Sequence, residues 1–401
     1  MKRYQNNVIY LGEAKINGKI QLWGQYEKDE KFHTLVCGKT GVGKTNYLET
    51  TILQKIHHGR SSVVVFDPHG DLIQRIAEKF PDHRKKDLII IDPTDKGFSY
   101  GINPLKKVHD EHKPLVVSGV IEIIARHFGS TWSYRQEHLL RYCLYTLLET
   151  PSSNLGDIAR LLVDADFRGS CRRYIRNEDI ERWWVKEFPT FRSESLLPLI
   201  TKLSSFTTHP SIIKTLIRPS NPISLRKAID NNKVVLVRIS IGQLGRDVST
   251  LIGSMLLTSL SLAAYSRANV LEWQRPATSI VIDEFANFTT SSLVSLFSEV
   301  RKYNVGITIA TQALDTIRED IRSSILANVG SIVSFRVSHD LARVMAKYLY
   351  PLKVEDLIQL PNYYFATVLM INGVPSVPFI AKAVTFMEVY NQKLSTRRKD
   401  A

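Results

Sequence analysis

The first residues that could do chemistry are the glycines, lysine and threonine of Gly38-Lys39-Thr40-Gly41-Val42-Gly43-Lys44-Thr45, which have the spacing of a phosphate-binding loop. They follow a β-rich run, Leu35-Val36-Cys37, and precede a helical pattern over 44–57. Glycines let successive N–H groups face inward, so the backbone and the helix N-terminus can hold an anion. Lys44 would neutralise the β- and γ-phosphate oxygens, and the Thr45 hydroxyl would bind Mg²⁺. The alternative is an ordinary glycine-rich turn.

A second group of candidate residues ends two later β-rich runs. Ile280-Val281-Ile282 is followed by Asp283 and Glu284, and Ile307–Thr311 is followed by Gln312. Beside a phosphate loop, Asp283 would hold Mg²⁺ through water and Glu284 would activate the attacking water as general base. Gln312 would then lie near the γ-phosphate. The alternative interpretation is two solvated loop acids and a polar strand end.

Hydrolysis in such sites often requires a cation from a neighbouring subunit, which stabilises charge on the leaving phosphate. Arg301 ends the helix before the Gln312 strand and is the first candidate, while Arg336 ends the next strand and is the second. Either arginine could instead be an ordinary surface residue. Asp67 closes the run 63–66, and we predict that it contacts the nucleotide with its bound water shell or the adjacent subunit, unless it is a structural loop acid.

Short β-rich runs alternate with helical patterns along most of the chain, which predicts an α/β fold with a mostly parallel sheet covered on both faces. Ligands of such sheets bind at the carboxyl ends of the strands, so the strand-closing Asp67, Asp283, Glu284 and Gln312 should line one crevice. Two β-hairpins are also predicted. They cover residues 8–23, turning at Asn17-Gly18, and 364–380, turning at Asn372-Gly373.

The stretch 116–230 contains helical patterns and no convincing strand, which predicts an all-helical insertion within one α/β core. The predicted organisation is therefore an N-terminal hairpin region at 1–30, a core at 31–115 and 231–390, the insertion at 116–230, and a polar, basic tail at 391–401.

Composition excludes several classes of protein. The 401 residues are 44% hydrophobic and 23% charged, which is typical of a globular chain and not of a disordered, collagen-like or coiled-coil one. The net charge of +14 favours anionic partners. It is spread along the chain, and only the tail is dense in basic residues; that tail is either a solvated end or a contact to DNA or to an acidic membrane. Three scattered cysteines indicate neither a zinc site nor a disulfide framework.

Several motifs occur in one order, and together they carry a family resemblance. They are the phosphate loop, Phe66-Asp67-Pro68-His69-Gly70-Asp71-Leu72, Gly101-Ile102-Asn103-Pro104-Leu105, Asp283-Glu284-Phe285, Arg301-Lys302-Tyr303 with Ala310-Thr311-Gln312, and Asn328-Val329-Gly330 with Ser334-Phe335-Arg336. This set resembles the HerA/FtsK superfamily of ring-forming DNA-translocating ATPases. Within it, the chain is most similar to the cytoplasmic ATPase module of the coupling proteins of conjugation and type IV secretion. The stretch Arg135–Arg141 also resembles part of the all-helical insertion of those proteins.

The resemblance implies a RecA-like core, a homo-hexameric ring, ATP and Mg²⁺ between subunits, and DNA held without sequence specificity in a central channel. Lys44 and Thr45 would take the family's phosphate and Mg²⁺ roles, and Asp283 and Glu284 its Mg²⁺ and water roles. Gln312 would be the γ-phosphate sensor, and Arg301 the arginine finger in trans. The loops 240–246 and 129–135 are candidates to face the channel, although plain surface loops are the alternative for both.

One departure from the family concerns the membrane. Conjugative coupling proteins usually carry N-terminal membrane helices, whereas this sequence has no signal peptide and no stretch of about 20 uninterrupted apolar residues. We therefore expect a cytoplasmic protein, recruited to the membrane by a partner or working away from it. The partner would be a membrane-anchored protein, a relaxase or an effector.

Two function classes remain at this point. The first is a motor that moves DNA. The second is a nucleotide-switched assembly subunit that recruits a secretion channel or an effector nuclease. Stimulation of ATPase activity by DNA at low salt would favour the first class, and its absence the second.

Overall fold

The computed structural model describes residues 8–391 apart from 17, 18, 96, 98, 107, 289–291 and 315. The strands are β1 Val8–Ile16, β2 Lys19–Tyr26, β3 Thr34–Cys37, β4 Ser62–Asp67, β5 Leu88–Ile91, β6 Tyr100–Gly101, β7 Asn221–Pro222, β8 Val234–Arg238, β9 Thr278–Ile282, β10 Val305–Thr311, β11 Ser331–Ser334, β12 Tyr364–Val368, β13 Met370–Ile371, β14 Val374–Pro375 and β15 Phe379–Ala383.

The helices alternate with these strands in the way the sequence predicts for an α/β fold. They are α1 Lys44–His58, α2 Asp71–Glu78, α3 Lys113–Phe128, α4 Tyr134–Glu149, α5 Asp157–Val163, α6 Ala165–Arg172, α7 Glu178–Arg182, α8 Ser193–Thr207, α9 Pro210–Ile212, α10 Leu225–Asp230, α11 Ile241–Leu244, α12 Arg246–Tyr265, α13 Ser292–Glu299, α14 Glu319–Asn328, α15 His339–Tyr348 and α16 Val354–Ile358.

The central sheet has eleven strands within the described residues, in the order β2-β1-β15-β12-β11-β3-β10-β9-β4-β8-β5. The seven strands from β11 to β5 are parallel, and the four at the other edge are antiparallel. The predicted mostly parallel sheet is thus confirmed. Strand β3 shows why its residues are nearly all apolar: Leu35 and Cys37 join the core on one face, and Val36 joins the core on the other.

Both predicted hairpins are present. Strands β1 and β2 pair from Val8↔Tyr26 to Ile16↔Lys19, and the predicted turn at 17–18 lies outside the described residues. Strands β12 and β15 pair antiparallel and enclose a smaller hairpin, β13–β14. Its turn has φ of 53° at Asn372 and 79° at Gly373, the left-handed values that an Asn-Gly turn supplies at low cost.

The chain between β6 and β7 is helical and contains α3 to α9. Its aromatic core includes Trp183, which is fully buried and stacks on Tyr142 with ring centroids 4.3 Å apart. Strands β6 and β7 pair with each other in parallel, with Tyr100 opposite Asn221, so the two ends of the helical region lie side by side. Helix α10, inside the predicted insertion, packs on β4 and α12 of the core. The exact domain bounds stay a prediction.

One helical segment of the described chain, Arg246–Asn269, is long and apolar enough to cross a membrane. However, 72% of its most apolar 18-residue stretch is buried inside the protein, where α12 packs against α3, α10 and α13. A core helix of a large domain has the same composition, so this segment is weak support for a membrane span.

Candidate active site

The phosphate loop connects β3, near the centre of the sheet, to the first turn of α1. Gly41 and Gly43 have φ of 77° and 118°, which side chains other than glycine rarely adopt. A Cβ on Gly38 would lie 2.7 Å from the Cβ of Phe335, so this position has no room for a side chain. Sterics and backbone conformation therefore both explain the glycines of the motif.

Lys44 is 7% exposed and points back into the loop that precedes it. Its Nζ donates to the carbonyl oxygen of Gly38 and, at 2.9 Å, to that of Lys39. Burial lowers the pKa of Lys44, whereas the nearby carboxylates of Glu284 and Asp283 raise it. The predicted phosphate lysine and the two predicted acids are thus close together. Thr45, half-buried, lies next in the first turn of α1.

Asp283 and Glu284 follow β9, two strands from β3. Burial and the neighbouring Asp67 raise the pKa of Asp283 to about 6, although the backbone N–H of Glu284 counteracts the rise with a 2.9 Å hydrogen bond to Asp283 Oδ1. Glu284 has φ of 42°, a left-handed value that is uncommon for a residue with a side chain. This backbone turn places two consecutive carboxylates in the same crevice.

Gln312 follows β10, the strand between β3 and β9. Its side-chain oxygen accepts a 2.7 Å hydrogen bond from the Thr40 hydroxyl, and its backbone N–H lies 3.5 Å from Glu284 Oε1. The backbone N–H of Gly38 also donates to the carbonyl of Thr311 at 3.3 Å. Gln312 therefore contacts both halves of the candidate site.

Asp67 lies at the end of β4 with 1% of its surface exposed. Its two carboxylate oxygens accept backbone hydrogen bonds from His69 at 2.8 Å and from Ile73 at 3.1 Å. In this arrangement Asp67 holds the loop that leads into α2, and it acts on the site through its charge beside Asp283. Direct contact of Asp67 with a nucleotide stays a prediction.

The two candidate arginines lie in different places. Arg336 is beside the phosphate loop: its carbonyl accepts from the Lys39 N–H at 2.9 Å, and its guanidinium donates to the Leu360 carbonyl and Asn362 Oδ1. Arg301 precedes β10, at the end of the parallel strands opposite the phosphate loop, and its guanidinium lies 3.9 Å from the centre of the Phe32 ring. Because β10 has seven residues, roughly 23 Å of strand separates this end from the site.

One contributor to the site was not predicted. Tyr363 has φ of 67°, and its backbone N–H donates to the Val42 carbonyl at 2.8 Å. Its ring would be 3.0 Å from a Cβ on Gly43. Pro361-Asn362 signals a turn before this residue, but no local pattern connects that turn to a loop more than 300 residues earlier.

Comparison with known proteins assigns the family. The profile described as the type IV secretion-system coupling protein DNA-binding domain matches residues 23–357. The chain belongs to this family. The predicted resemblance to coupling proteins is therefore confirmed. No curated protein is a significant match to the chain.

Solved structures share the fold of this coupling-protein chain at low sequence identity. The unbound bacterial conjugative coupling protein TrwBdeltaN70 superposes with a TM-score of 0.63 and 16% identity, covering 92% of this chain and 88% of that one. VirB4 of Thermoanaerobacter pseudethanolicus has a TM-score of 0.62 and 14% identity, covering 94% of this chain and 96% of its own. At such identities the likeness confirms the predicted RecA-like α/β fold and nothing finer.

Proposed function

We propose that the chain is a ring-forming ATPase that hydrolyses ATP at subunit interfaces and translocates DNA through a central channel, as in conjugative transfer. The observation that carries this proposal is the convergence of Lys44, Asp283, Glu284 and Gln312 at one edge of a parallel sheet. A phosphate loop alone would fit many enzymes. A phosphate loop with a water-activating acid and a third strand contacting both is the arrangement that hydrolysis requires.

The residues present also fit Mg²⁺. Asp67 and Glu284 both raise the pKa of Asp283, and a divalent cation would relieve this repulsion. Asp283 and the Thr45 hydroxyl are oxygen ligands of the kind that Mg²⁺ prefers. No three His, Cys, Asp or Glu side chains of the described chain form a metal site by themselves, so Mg²⁺ would also need oxygen ligands from phosphate and water. Bound there, Mg²⁺ would neutralise charge on the β- and γ-phosphates.

Each protein group then has one task. The loop N–H groups and Lys44 hold the phosphates, and Glu284 accepts a proton from the attacking water. Gln312, which is hydrogen-bonded to Thr40 of the loop, responds to the presence of the γ-phosphate. Arg301 of a neighbouring subunit would stabilise the transition-state charge. Solved complexes of the plasmid coupling protein TrwB with ADP and Mg²⁺ and with an ATP analogue support this assignment, because that protein has the same fold.

The partners follow from the family and the charge. A net charge of +14 repeated around a homo-hexamer would surround DNA and grip its backbone irrespective of sequence. We place the protein in the cytoplasm, recruited to the inner face of the membrane by an anchored, relaxase or effector partner.

ATP turnover with and without DNA at low salt tests the proposal. We expect both to be measurable and DNA to stimulate the rate. Lys44→Ala should abolish nucleotide binding, and Glu284→Gln should retain ATP while turnover falls by about 10²–10⁴-fold. Near-parental turnover by Glu284→Gln would contradict the role of Glu284. Turnover that neither single- nor double-stranded DNA changes would favour an assembly subunit that recruits a protein partner.

A further inference from the structure

At the amino ends of the parallel strands, opposite the phosphate loop, several segments are held together by the buried Arg267. Arg267, with no exposed surface, follows α12 and uses all five of its N–H groups. The acceptors, at 2.9–3.1 Å, are Asp230 Oδ1, the carbonyls of Pro276, Tyr303 and Ile229, and Thr278 Oγ1. Because these acceptors come from three separate segments, at 229–230, 276–278 and 303, Arg267 fixes the segments that lead into β9 and β10.

A second arginine joins the surface loops above it. Arg275 donates from Nη1 to the Lys302 carbonyl and from Nε to the Val270 carbonyl at 2.8 Å. Its guanidinium lies over the Tyr303 ring, and its carbonyl accepts from Asn304 Nδ2 at 2.8 Å. The loop 270–275 and the segment 301–304 therefore form one continuous, well-held surface.

This surface exposes large apolar groups beside positive charge. The side chain of Trp273 is 79% exposed and that of Leu271 is 61% exposed, while Arg301 and Lys302 are exposed on the adjoining segment. Tryptophan and arginine are the residues that most often dominate the energy of protein interfaces. We name this group of four, Leu271, Trp273, Arg301 and Lys302, the finger edge.

We propose that the finger edge docks on the phosphate-loop face of a second copy of this chain, with Leu271 and Trp273 as its anchors. This inference rests on the proposed function, since it needs a site completed in trans. The two surfaces lie at opposite ends of the same strands, so one copy cannot join them, whereas successive copies can, head to tail. Such a heterologous contact closes into a ring when the rotation between subunits allows it.

Arg301 supplies the charge that the proposed contact would bring to the Asp283 and Glu284 carboxylates of the opposing face and, during turnover, to the phosphates. Lys302 is paired with Glu299 of its own subunit at 3.1 Å. The opposing face also exposes half of the Tyr363 side chain beside Gly43, which offers an aromatic partner to Trp273. The contact would fix the angle at which Arg301 enters the neighbouring site, which makes Leu271 and Trp273 positioning residues.

Sedimentation velocity with a slowly hydrolysed ATP analogue tests the docking, alongside ATP turnover across protein concentration. We expect Trp273→Ser to raise the concentration for half-assembly by about 30-fold, as loss of an interface anchor does, and Leu271→Ser to raise it less. Val163→Ser, which removes a side chain 65% exposed on the helical region, is the matched control and should assemble like the parent. Thermal unfolding of each variant checks that the fold is intact.

A mixing experiment separates docking from a general loss of activity. Lys44→Ala subunits keep the finger edge and lack a working site, whereas Trp273→Ser subunits keep the site. At a protein concentration where Trp273→Ser alone does not assemble, a mixture of the two variants should recover turnover. The double variant mixed with either single variant should not. Parental assembly by Trp273→Ser overturns the inference, as does a Trp273-dependent binding to phosphatidylserine vesicles without an effect on assembly. A parent that lacks ATP turnover would instead refute the proposed function.

Discussion

The Thr40 hydroxyl donates a 2.7 Å hydrogen bond to the side-chain oxygen of Gln312, which joins the phosphate loop to the strand that ends between the loop and Glu284. The backbone N–H of Gln312 faces the Glu284 carboxylate at 3.5 Å. Gln312 is thus the residue through which a change at the loop would reach the Glu284 carboxylate.

Gln312→Ala should lower kcat while leaving ATP affinity nearly unchanged, because it removes a contact that is used in the transition state rather than in binding. We expect a loss of about 10- to 100-fold in kcat. Thr40→Val keeps the loop and removes the hydroxyl, so it should reproduce part of the loss. Steady-state kinetics and an equilibrium binding assay measure the two quantities, and an equal loss in affinity would contradict the sensor role.

Arg301→Ala should poison mixed rings, because each defective finger disables the site of its neighbour while the variant still binds ATP. Titrating the variant into parent protein should lower turnover more steeply than dilution alone. Arg336→Ala is the informative comparison, since its guanidinium contacts Leu360 and Asn362 of its own subunit. If turnover fell in proportion to dilution with Arg301→Ala but more steeply with Arg336→Ala, Arg336 rather than Arg301 would be the arginine that acts in the neighbouring site.

Arg267→Met should destabilise the fold strongly, since it leaves five buried or half-buried acceptors without their donor. Loss of one member of a buried ionic network costs about 3–5 kcal/mol. Arg226 also contacts Asp230 but is 25% exposed, so Arg226→Met should cost at most about 1 kcal/mol. Urea denaturation gives both values, and similar losses for the two variants would contradict the central role of Arg267.

His33 should make stability depend on pH. Its Nδ1 accepts from the Ile307 N–H and its Nε2 faces the Phe297 carbonyl, so the buried ring is neutral, and burial lowers its pKa from 6.5 to about 4. Between these values the unfolded chain binds a proton that the folded chain does not. Stability is therefore lost as pH falls from about 6.5 to 4, by up to about 3 kcal/mol.

The control for this pH effect is His33→Asn, because asparagine can still donate and accept hydrogen bonds and does not titrate. Denaturant unfolding at several pH values should give a flatter profile for the variant between pH 6.5 and 4. Parallel profiles would show that another group causes the pH dependence.

The strand ends were predictable because they depend on local pattern and one topological rule. Apolar runs closed by Asp283, Glu284 or Gln312 identify strands, and parallel strands bring such residues to one edge. The hairpin at Asn372-Gly373 was predictable for a similar reason, since the dipeptide itself favours the turn.

Long-range contacts were not predictable in this way. Nothing near Tyr363 indicates that its N–H donates to Val42, because that bond depends on how β11 and β12 lie beside β3. The same holds for Asp67, whose oxygens are occupied by backbone amides. Its effect on Asp283 is a through-space electrostatic one that spacing along the chain does not encode.

The pairing of β6 with β7 has an evolutionary consequence. Because Tyr100 and Asn221 are neighbours, the chain between them leaves the core and returns to it at two adjacent strands about 5 Å apart. Insertions, deletions or exchange of the outer helices can occur there without shifting the strands that carry the catalytic groups. The sheet and the helical region can therefore diversify at different rates.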